Sequence, residues 1–271
     1  MTATMDASRL GTQLRPPVGP WRRVEVHATL DSTNTRAAAL GEPDVVVLAE
    51  EQTAGRGRLA RSWLAPRYAA LTVSATLSAP DGAPGWVPLV AGLAVRDAVA
   101  EVAGLEAVLK WPNDVLLPAD GHRKVAGLLC EWLPGVNGEP ALVVVGIGLN
   151  VRQARAELPV DTATSLALAG ATGGGLDREA LLVALLAALR RRYAAVQAGG
   201  PLAAGERAAY RAACASIGVR ARLVRGAGEL TGVVTGIDDE GALLLDAGDG
   251  RGPQAYAAGD VVHLRADAGE A

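Results

Sequence analysis

The sequence predicts an α+β fold in two parts, a large mixed domain over residues 21–215 and a small all-β domain over 216–271. Two observations carry this. Up to Cys214, β-branched runs alternate irregularly with stretches of helical spacing, and no internal repeat is found. After Ser216 only short β-like runs recur, separated by turn signals, over about 50 residues, the scale of a small barrel. The composition is that of a globular chain: 271 residues, 50% hydrophobic and 20% charged. With no Phe and five Trp, the core must be built from Leu, Val, Ala and Trp.

Residues 1–20 carry Asp6, Arg9, Arg15 and three prolines without an apolar centre, and read as a disordered leader rather than a signal peptide. From Trp21 the elements follow in order. Arg23 to His27 alternates as a strand. Asp31-Ser32-Thr33-Asn34 offers N-caps for a helix over Arg36 to Leu40. Val45 to Ala49 is a buried strand, and Gln52 to Ser62 is too rich in Gly and Arg for any regular element. Leu71 to Leu77 alternates strictly apolar and polar, the signature of a half-buried strand. Leu89 to Ala98 has helical spacing. Val108–Lys110, Val115–Leu117, Val125–Glu131 and Leu142–Val145 read as strands. Leu181 to Val196 reads as an amphipathic helix capped by Asp177, followed by a helix around Leu202 to Cys214. The small domain shows strands at Val219–Val224, Thr231–Ile237, Ala242–Leu245 and Val261–Leu264.

Several function classes are disfavoured at once. A net charge of −3 gives no general nucleic-acid surface. Cys130 and Cys214 form no CxxC pair, so neither a zinc site nor a disulfide framework is indicated, and Cys130 reads as a small buried residue. No apolar run approaches the ~20 residues of a membrane span, and a reducing, cytoplasmic location is the expectation.

Five stretches could carry chemistry. Gln52 to Trp63 crowds Arg56, Arg58 and Arg61 around Gly55 and Gly57. Glycine permits close backbone approach and arginine offers paired donors, a combination that suits an anion-wrapping loop. A solvated basic loop or a nucleic-acid contact fits the same residues. Lys110-Trp111-Pro112-Asn113-Asp114 is either a tight turn or a site where Asn113 and Asp114 face a nucleotide and its Mg²⁺. Lys124 opens an apolar strand, as an exposed strand-end lysine or as a fixed charge beside a reacting phosphorus. Val143 to Asn150 begins like a dinucleotide fingerprint, but the third glycine position is Val151 and no helix follows. A GxxxxGK[ST] phosphate loop is also missing from the sequence. Ser32-Thr33-Asn34 serve as caps, and could also hydrogen-bond a small polar ring.

As an ordered set, Ser-Thr-Asn, Gln-x-x-Gly-Arg-Gly-Arg, Lys-Trp-Pro-Asn-Asp, Lys-x-Ala-Gly and Gly-x-Gly-x-Asn resemble the biotin–protein ligase family from Trp21 to the C-terminus. The resemblance implies a catalytic domain akin to class II aminoacyl-tRNA synthetases, a mixed sheet with helices on one face, followed by an SH3-like barrel. It implies two steps, with biotin and ATP as substrates and Mg²⁺ as the metal. Biotinyl-adenylate forms first, and biotin then passes to a lysine on the biotin carboxyl carrier domain of an acyl-CoA carboxylase.

Roles carry over by position. Ser32, Thr33, Asn34 and Gln52 match the biotin-facing polar cluster. Gly55 and Gly57 let the loop close, and Arg56 and Arg58 clamp carboxylate and phosphate. Lys124 matches the catalytic lysine, assisted by Arg58, and Gly127 leaves room for the biotin ring. Arg56, Arg61, Trp63, Lys110, Asn113, Asp114 and Asn150 fall on the ATP side, with Asp114 as the Mg²⁺ contact and Trp63 and Trp111 as walls. The Arg56–Ser62 loop is expected to be mobile without ligand and ordered with it. The family also implies dimerisation through the central sheet in many members. The short N-terminal stretch leaves no room for the DNA-binding module of relatives that act as repressors, so neither nucleic-acid binding nor a repressor role is expected. The rival readings are a lipoate or octanoate ligase, a nucleic-acid-binding regulator and a non-catalytic biotin binder.

Overall fold

The computed structural model describes residues 4–264 apart from 136, 137, 139 and 227. The large domain is built on a seven-stranded sheet. Its strands are β1 (Arg23–His27), β2 (Val45–Ala49), β3 (Ala70–Ser78), β4 (Val108–Lys110), β5 (Asp114–Leu117), β6 (Arg123–Leu133) and β7 (Leu142–Asn150). Their order is β1-β2-β3-β7-β6-β5-β4; β1 and β2 are parallel and every other neighbouring pair is antiparallel. The helices are α1 (Ala7–Leu14), α2 (Thr33–Leu40), α3 (Trp86–Ala98), α4 (Arg178–Ala198) and α5 (Gly200–Ala213).

The two faces of this sheet differ, and the difference positions the site. Side chains alternate across a strand. Leu71, Val73, Ala75 and Leu77 of β3, with Val143, Val145, Ile147 and Leu149 of β7, form one core with α3 and α4. The opposite face meets α2 through Ala37, Val45, Val47 and Val144. Helices therefore lie on both faces, not one, because α2 buries its small apolar stripe on the second face. Beyond α2 that face carries Ser74, Gly127, Gly146 and Gly148. Gly127 pairs with Gly148, and Ser74 with Gly146. Three missing side chains leave a trough of bare backbone.

Strand β3 is buried on both faces rather than half-buried. Its polar residues are satisfied inside: the Thr72 hydroxyl donates to Ala49 O at 2.6 Å, and that of Thr76 to Glu42 O at 2.6 Å. Alternation of polar and apolar residues signals a solvent face only when the polar groups lack internal partners. Helix α4 is likewise not cleanly amphipathic. Leu181, Leu182, Leu185, Leu186 and Leu189 bury it nearly all round at its start. Its later Arg190 and Arg192 pair with Asp44 and Asp97. Asp177 caps it as expected, accepting from the amides of Glu179 and Ala180.

The reading of residues 1–20 as a disordered leader is corrected for residues 4–20. Asp6 caps α1, and Leu10 and Leu14, one helical turn apart, are buried in the main core with Met5. The amide of Met5 donates to Glu50 Oε1 at 2.7 Å, and Glu50 is paired with the buried Arg178. Burying each leucine stabilises by about 1.5–3 kcal/mol, enough to order a short polar segment. Two leucines among prolines and charges gave too little pattern to read. Cys130 packs against the core, and burial pushes its thiol up to about 12.

The small domain is a five-stranded antiparallel sheet, ordered β11-β10-β9-β8-β12. Its strands are β8 (Arg220–Arg225), β9 (Gly228–Ile237), β10 (Leu243–Asp246), β11 (Gln254–Tyr256) and β12 (Asp260–His263). Strand β11 was not anticipated, since Gln254-Ala255-Tyr256 is too short to show periodicity. Two buried tryptophans seat this domain on the large one: Trp86 Nε1 donates to Asp239 O at 2.9 Å, and Trp111 Nε1 to Gly241 O at 3.0 Å. Ser216 Oγ accepts from Trp111 N at 3.3 Å and lies 3.0 Å from His263 Nε2. Burial pushes the His263 imidazole down to about 4, with Lys110 and His122 adding to the effect. The folded protein thus keeps a neutral ring, whereas the unfolded chain takes up a proton below about 6.5. That contribution to stability is present above pH 6.5 and lost as pH falls from 6.5 toward 4. The thermal midpoint should fall across that window, and by less in His263→Gln; equal slopes in both proteins would exclude His263 as the titrating group. Among the described residues no helix is long and apolar enough to cross a membrane.

Candidate active site

The trough opens into a cavity of about 660 Å³. Strands β6 and β7 form its floor. The Gln52–Trp63 loop forms one wall, the Lys110–Asp114 turn another, and residues 159–163 with β12 close the rest. The expected residues Ser32, Thr33, Asn34, Gln52, Arg56, Gly57, Arg58, Arg61, Trp63, Lys110, Asn113, Asp114, Lys124, Gly127 and Asn150 all line it, as does Trp111. Gly55 does not line this cavity. It sits at the base of the loop, where Trp63 N donates to Gly55 O at 2.8 Å. A Cβ at Gly55 would lie 2.2 Å from Trp63 O, so glycine is required for loop closure rather than for contact with a bound molecule.

One end of the cavity is neutral and polar. Ser32 caps α2, which places Thr33 and Asn34 in its first turn. Thr33 N and Oγ1 donate to Gln52 Oε1 at 2.8 and 3.0 Å. The buried Ser74 hydroxyl lies 2.7 Å from Thr33 Oγ1 and 2.6 Å from Asn34 Oδ1. Asn34 Nδ2 donates to Leu129 O at 3.2 Å and to Glu131 Oε2 at 2.6 Å. Such a network fixes the direction of every amide and hydroxyl in it. A Cβ at Gly146 would lie 2.1 Å from Asn34 Oδ1, so that glycine makes room for the cluster.

The other end is cationic. Lys124 Nζ lies 2.5 Å from Asp114 Oδ1 and 5.9 Å from the centre of the Trp63 ring. Its backbone is pinned to the facing loop: Lys124 N donates to Thr162 O and Thr164 N to Lys124 O, both at 2.8 Å. Arg58 donates to Asn113 Oδ1 at 3.1 Å and Arg56 to Glu131 Oε2 at 2.9 Å. Burial holds Lys110 and Arg58 below their ordinary pKa values, with Asp114 and Asp260 opposing. Asn150 is tied to Thr164 O and to Gln153 at the far edge. Trp63 is more than a wall: its indole lies in the trough, where a Cβ at Gly148 would be 2.2 Å from Trp63 Cε2. Trp63 Nε1 is buried without an acceptor among the described residues. An unpaired buried N–H is costly and suits a site completed by a bound acceptor.

Ser74, Glu131, Gly146, Gly148 and Asp260 also belong to the site or brace it, and were missed. The Gly146-x-Gly148 pair stands in the sequence as part of the Gly-x-Gly-x-Asn motif, which carried a role for Asn150 but none for the two glycines. Ser74 was hidden in the alternation of β3. Glu131 and Asp260 sit in no local motif.

Two family models match the chain, one described as the biotin/lipoate A/B protein ligase family over residues 25–150 and one as the biotin protein ligase C terminal domain over residues 217–264. A biotin–[acetyl-CoA-carboxylase] ligase of Mycobacterium tuberculosis is 41% identical, over 96% of each chain. The chain belongs to the biotin–protein ligase family. A second biotin–[acetyl-CoA-carboxylase] ligase, from Paracoccus denitrificans, is 37% identical over 83% of this chain and 94% of its own. The solved biotin protein ligase of Aquifex aeolicus in complex with biotin and ATP superposes with a TM-score of 0.73 at 26% identity, covering 91% of this chain and 100% of that one. The mixed sheet, its helices and the C-terminal antiparallel sheet are thus the ligase family's fold.

Proposed function

We propose that this protein is an ATP-dependent biotin–protein ligase that forms biotinyl-adenylate and transfers biotin to a lysine of a biotin carboxyl carrier domain. The observation that carries this reading is the convergence of five separate segments in one cavity with a neutral polar end and a cationic end. Its volume lies in the range of ~300–1,000 Å³ usual for small-molecule sites. The class II synthetase-like and SH3-like descriptions of the two domains belong to the same reading.

In this reading Ser32, Thr33, Asn34 and Gln52 hydrogen-bond the ureido ring at the neutral end, beside the Trp63 indole that covers Gly148. The valeryl chain leads to the cationic end, where biotin's carboxylate and the α-phosphate of ATP are brought together. Both are anions, so Arg56, Arg58, Arg61 and Lys124 lower the repulsion between them. A carboxylate oxygen attacks the α-phosphorus, the bond to the bridging oxygen breaks, and pyrophosphate leaves. Lys124, aimed by Asp114, stabilises the charge that develops on phosphorus. The acceptor ε-amine then attacks the acyl carbon of the mixed anhydride, and AMP leaves. Trp63 covers the anhydride from water. Lys110, Asn113 and Asn150 face the nucleotide.

Mg²⁺ fits this donor set only as a companion of the nucleotide. Among the described residues no three His, Cys, Asp or Glu converge as a resident cage. Among the described residues Asp114 is the carboxylate paired with Lys124, and Mg²⁺ is commonly held by one or two carboxylates plus substrate phosphates.

The test is transfer of labelled biotin to an apo carrier domain, with ATP and Mg²⁺ present. Label on the carrier lysine that depends on ATP supports the assignment; no label on any carrier, from a folded protein, overturns it. The lipoate ligase alternative predicts label from lipoate instead.

A further inference from the structure

The small β domain puts one carboxylate into the cavity, that of Asp260 at the start of β12. Asp260 Oδ1 lies 3.5 Å from Arg58 Nη1, and Oδ2 is paired with Arg61 Nη2. The other terminal nitrogen of Arg58 donates to Gly259 O at 3.3 Å. Arg58 therefore bridges the two domains, since it also donates to Asn113. Gly259 has φ +152, and a Cβ there would lie 2.6 Å from Leu223 Cδ1, so the chain entering β12 is fixed by packing. The Asp260 side chain is only 17% exposed, whereas that of Arg61 is 68% exposed and has little else to hold it.

The loop needs such an anchor. Leu59 and Ala60, between the two arginines, both have positive φ, at 54 and 57, a costly state for residues with side chains. Leu59 is 66% exposed, so packing does not hold that conformation. The loop is kept in shape by Gly57 N donating to Arg61 O and by the two ion pairs to Asp260.

We propose that Asp260 is a positioning residue: from the small domain it holds Arg58 and Arg61 in the cavity, and so makes that domain a working part of the nucleotide half of the site. This rests on the ligase reading for its reaction, but not for its geometry. One carboxylate faces two guanidinium groups with Lys110 nearby, so the cluster keeps net positive charge for an incoming phosphate. Asp260 acts through the arginines and need not touch the substrate.

The experiment compares the full-length protein with Asp260→Asn in biotin-dependent exchange of labelled pyrophosphate into ATP, alongside hydrogen exchange without ligand. The expected result is a KM for ATP raised by about tenfold or more, a smaller change in kcat, and recovery in Asp260→Glu. Amides of residues 57–62 should exchange faster in Asp260→Asn, with β3 and β7 unchanged. An unaltered KM and unaltered loop exchange would overturn the proposal. So would a lowered KM, which would make Asp260 a competitor of the nucleotide for the arginines. Arg61→Gln, at an exposed position, serves if Asp260→Asn loses β7 protection: it should raise the KM, and an unchanged KM with unchanged loop exchange would also overturn the proposal. A wild-type protein without exchange activity would remove the ligase reading, while the hydrogen-exchange comparison would still decide the role of Asp260.

Discussion

Lys124→Ala is expected to slow formation of biotinyl-adenylate by about 10²–10³-fold while leaving the fold intact. The prediction follows from where the side chain sits and from what holds its backbone. The ammonium group is the cation closest to Asp114 and lies beside Gly127, under the Trp63 ring. The strand entrance is held without it, by main-chain bonds to Thr162 and Thr164. Both members of the Lys124–Asp114 pair are partly exposed, at 32% and 21%, so losing the pair should cost only about 0–1 kcal/mol of stability. Single-turnover measurement of adenylate formation separates this step from transfer. Lys124→Arg should rescue poorly, because a planar fork does not replace a point charge. A Lys124→Ala protein that forms adenylate at the wild-type rate would remove the residue from the mechanism.

Gly146→Ala is expected to act at the other end of the cavity, raising the KM for biotin at least tenfold and lowering the thermal midpoint by about 3–10 °C. The added methyl group would start 2.1 Å from Asn34 Oδ1 and 2.8 Å from Asn34 Cγ. Asn34 has no free direction of retreat, being bonded to Ser74, Leu129 and Glu131 at once. The start of α2 must therefore shift, and Thr33 with it. Overpacking of this kind typically costs about 1–3 kcal/mol. The KM for ATP should change much less, since the cationic end lies on the loop and the Lys110–Asp114 turn. Steady-state exchange kinetics with each substrate varied gives both numbers. An unchanged KM for biotin would contradict the placement of the ring at Ser32–Asn34.

Most of the cavity could be read from the sequence because its chemistry is local. Glycines and arginines within Gln52–Trp63, the Lys110–Asp114 turn and Lys124 each stand in short stretches whose residue types have few structural uses in combination. What the sequence hid was long-range. Ser74 is polar on an alternating strand, and only the approach of α2 turns its face inward. Glu131 is 97 residues from Asn34 in sequence yet bonded to it. Asp260 is 199 residues from Arg61, and no spacing links them. Leu10 and Leu14 show the same limit for the fold: two apolar residues do not make a pattern until a core is present to receive them. Gly146 and Gly148 were legible as glycines but not as a floor, because a missing side chain has meaning only against what lies above it.

The measurement that bears most directly on the central claim is biotin-dependent exchange of labelled pyrophosphate into ATP by the full-length protein with Mg²⁺, with lipoate as the control acid. Exchange with biotin and none with lipoate is the predicted result, since it requires the adenylate to form reversibly in this cavity. Exchange with lipoate alone, or with neither acid in a folded protein, would contradict the account.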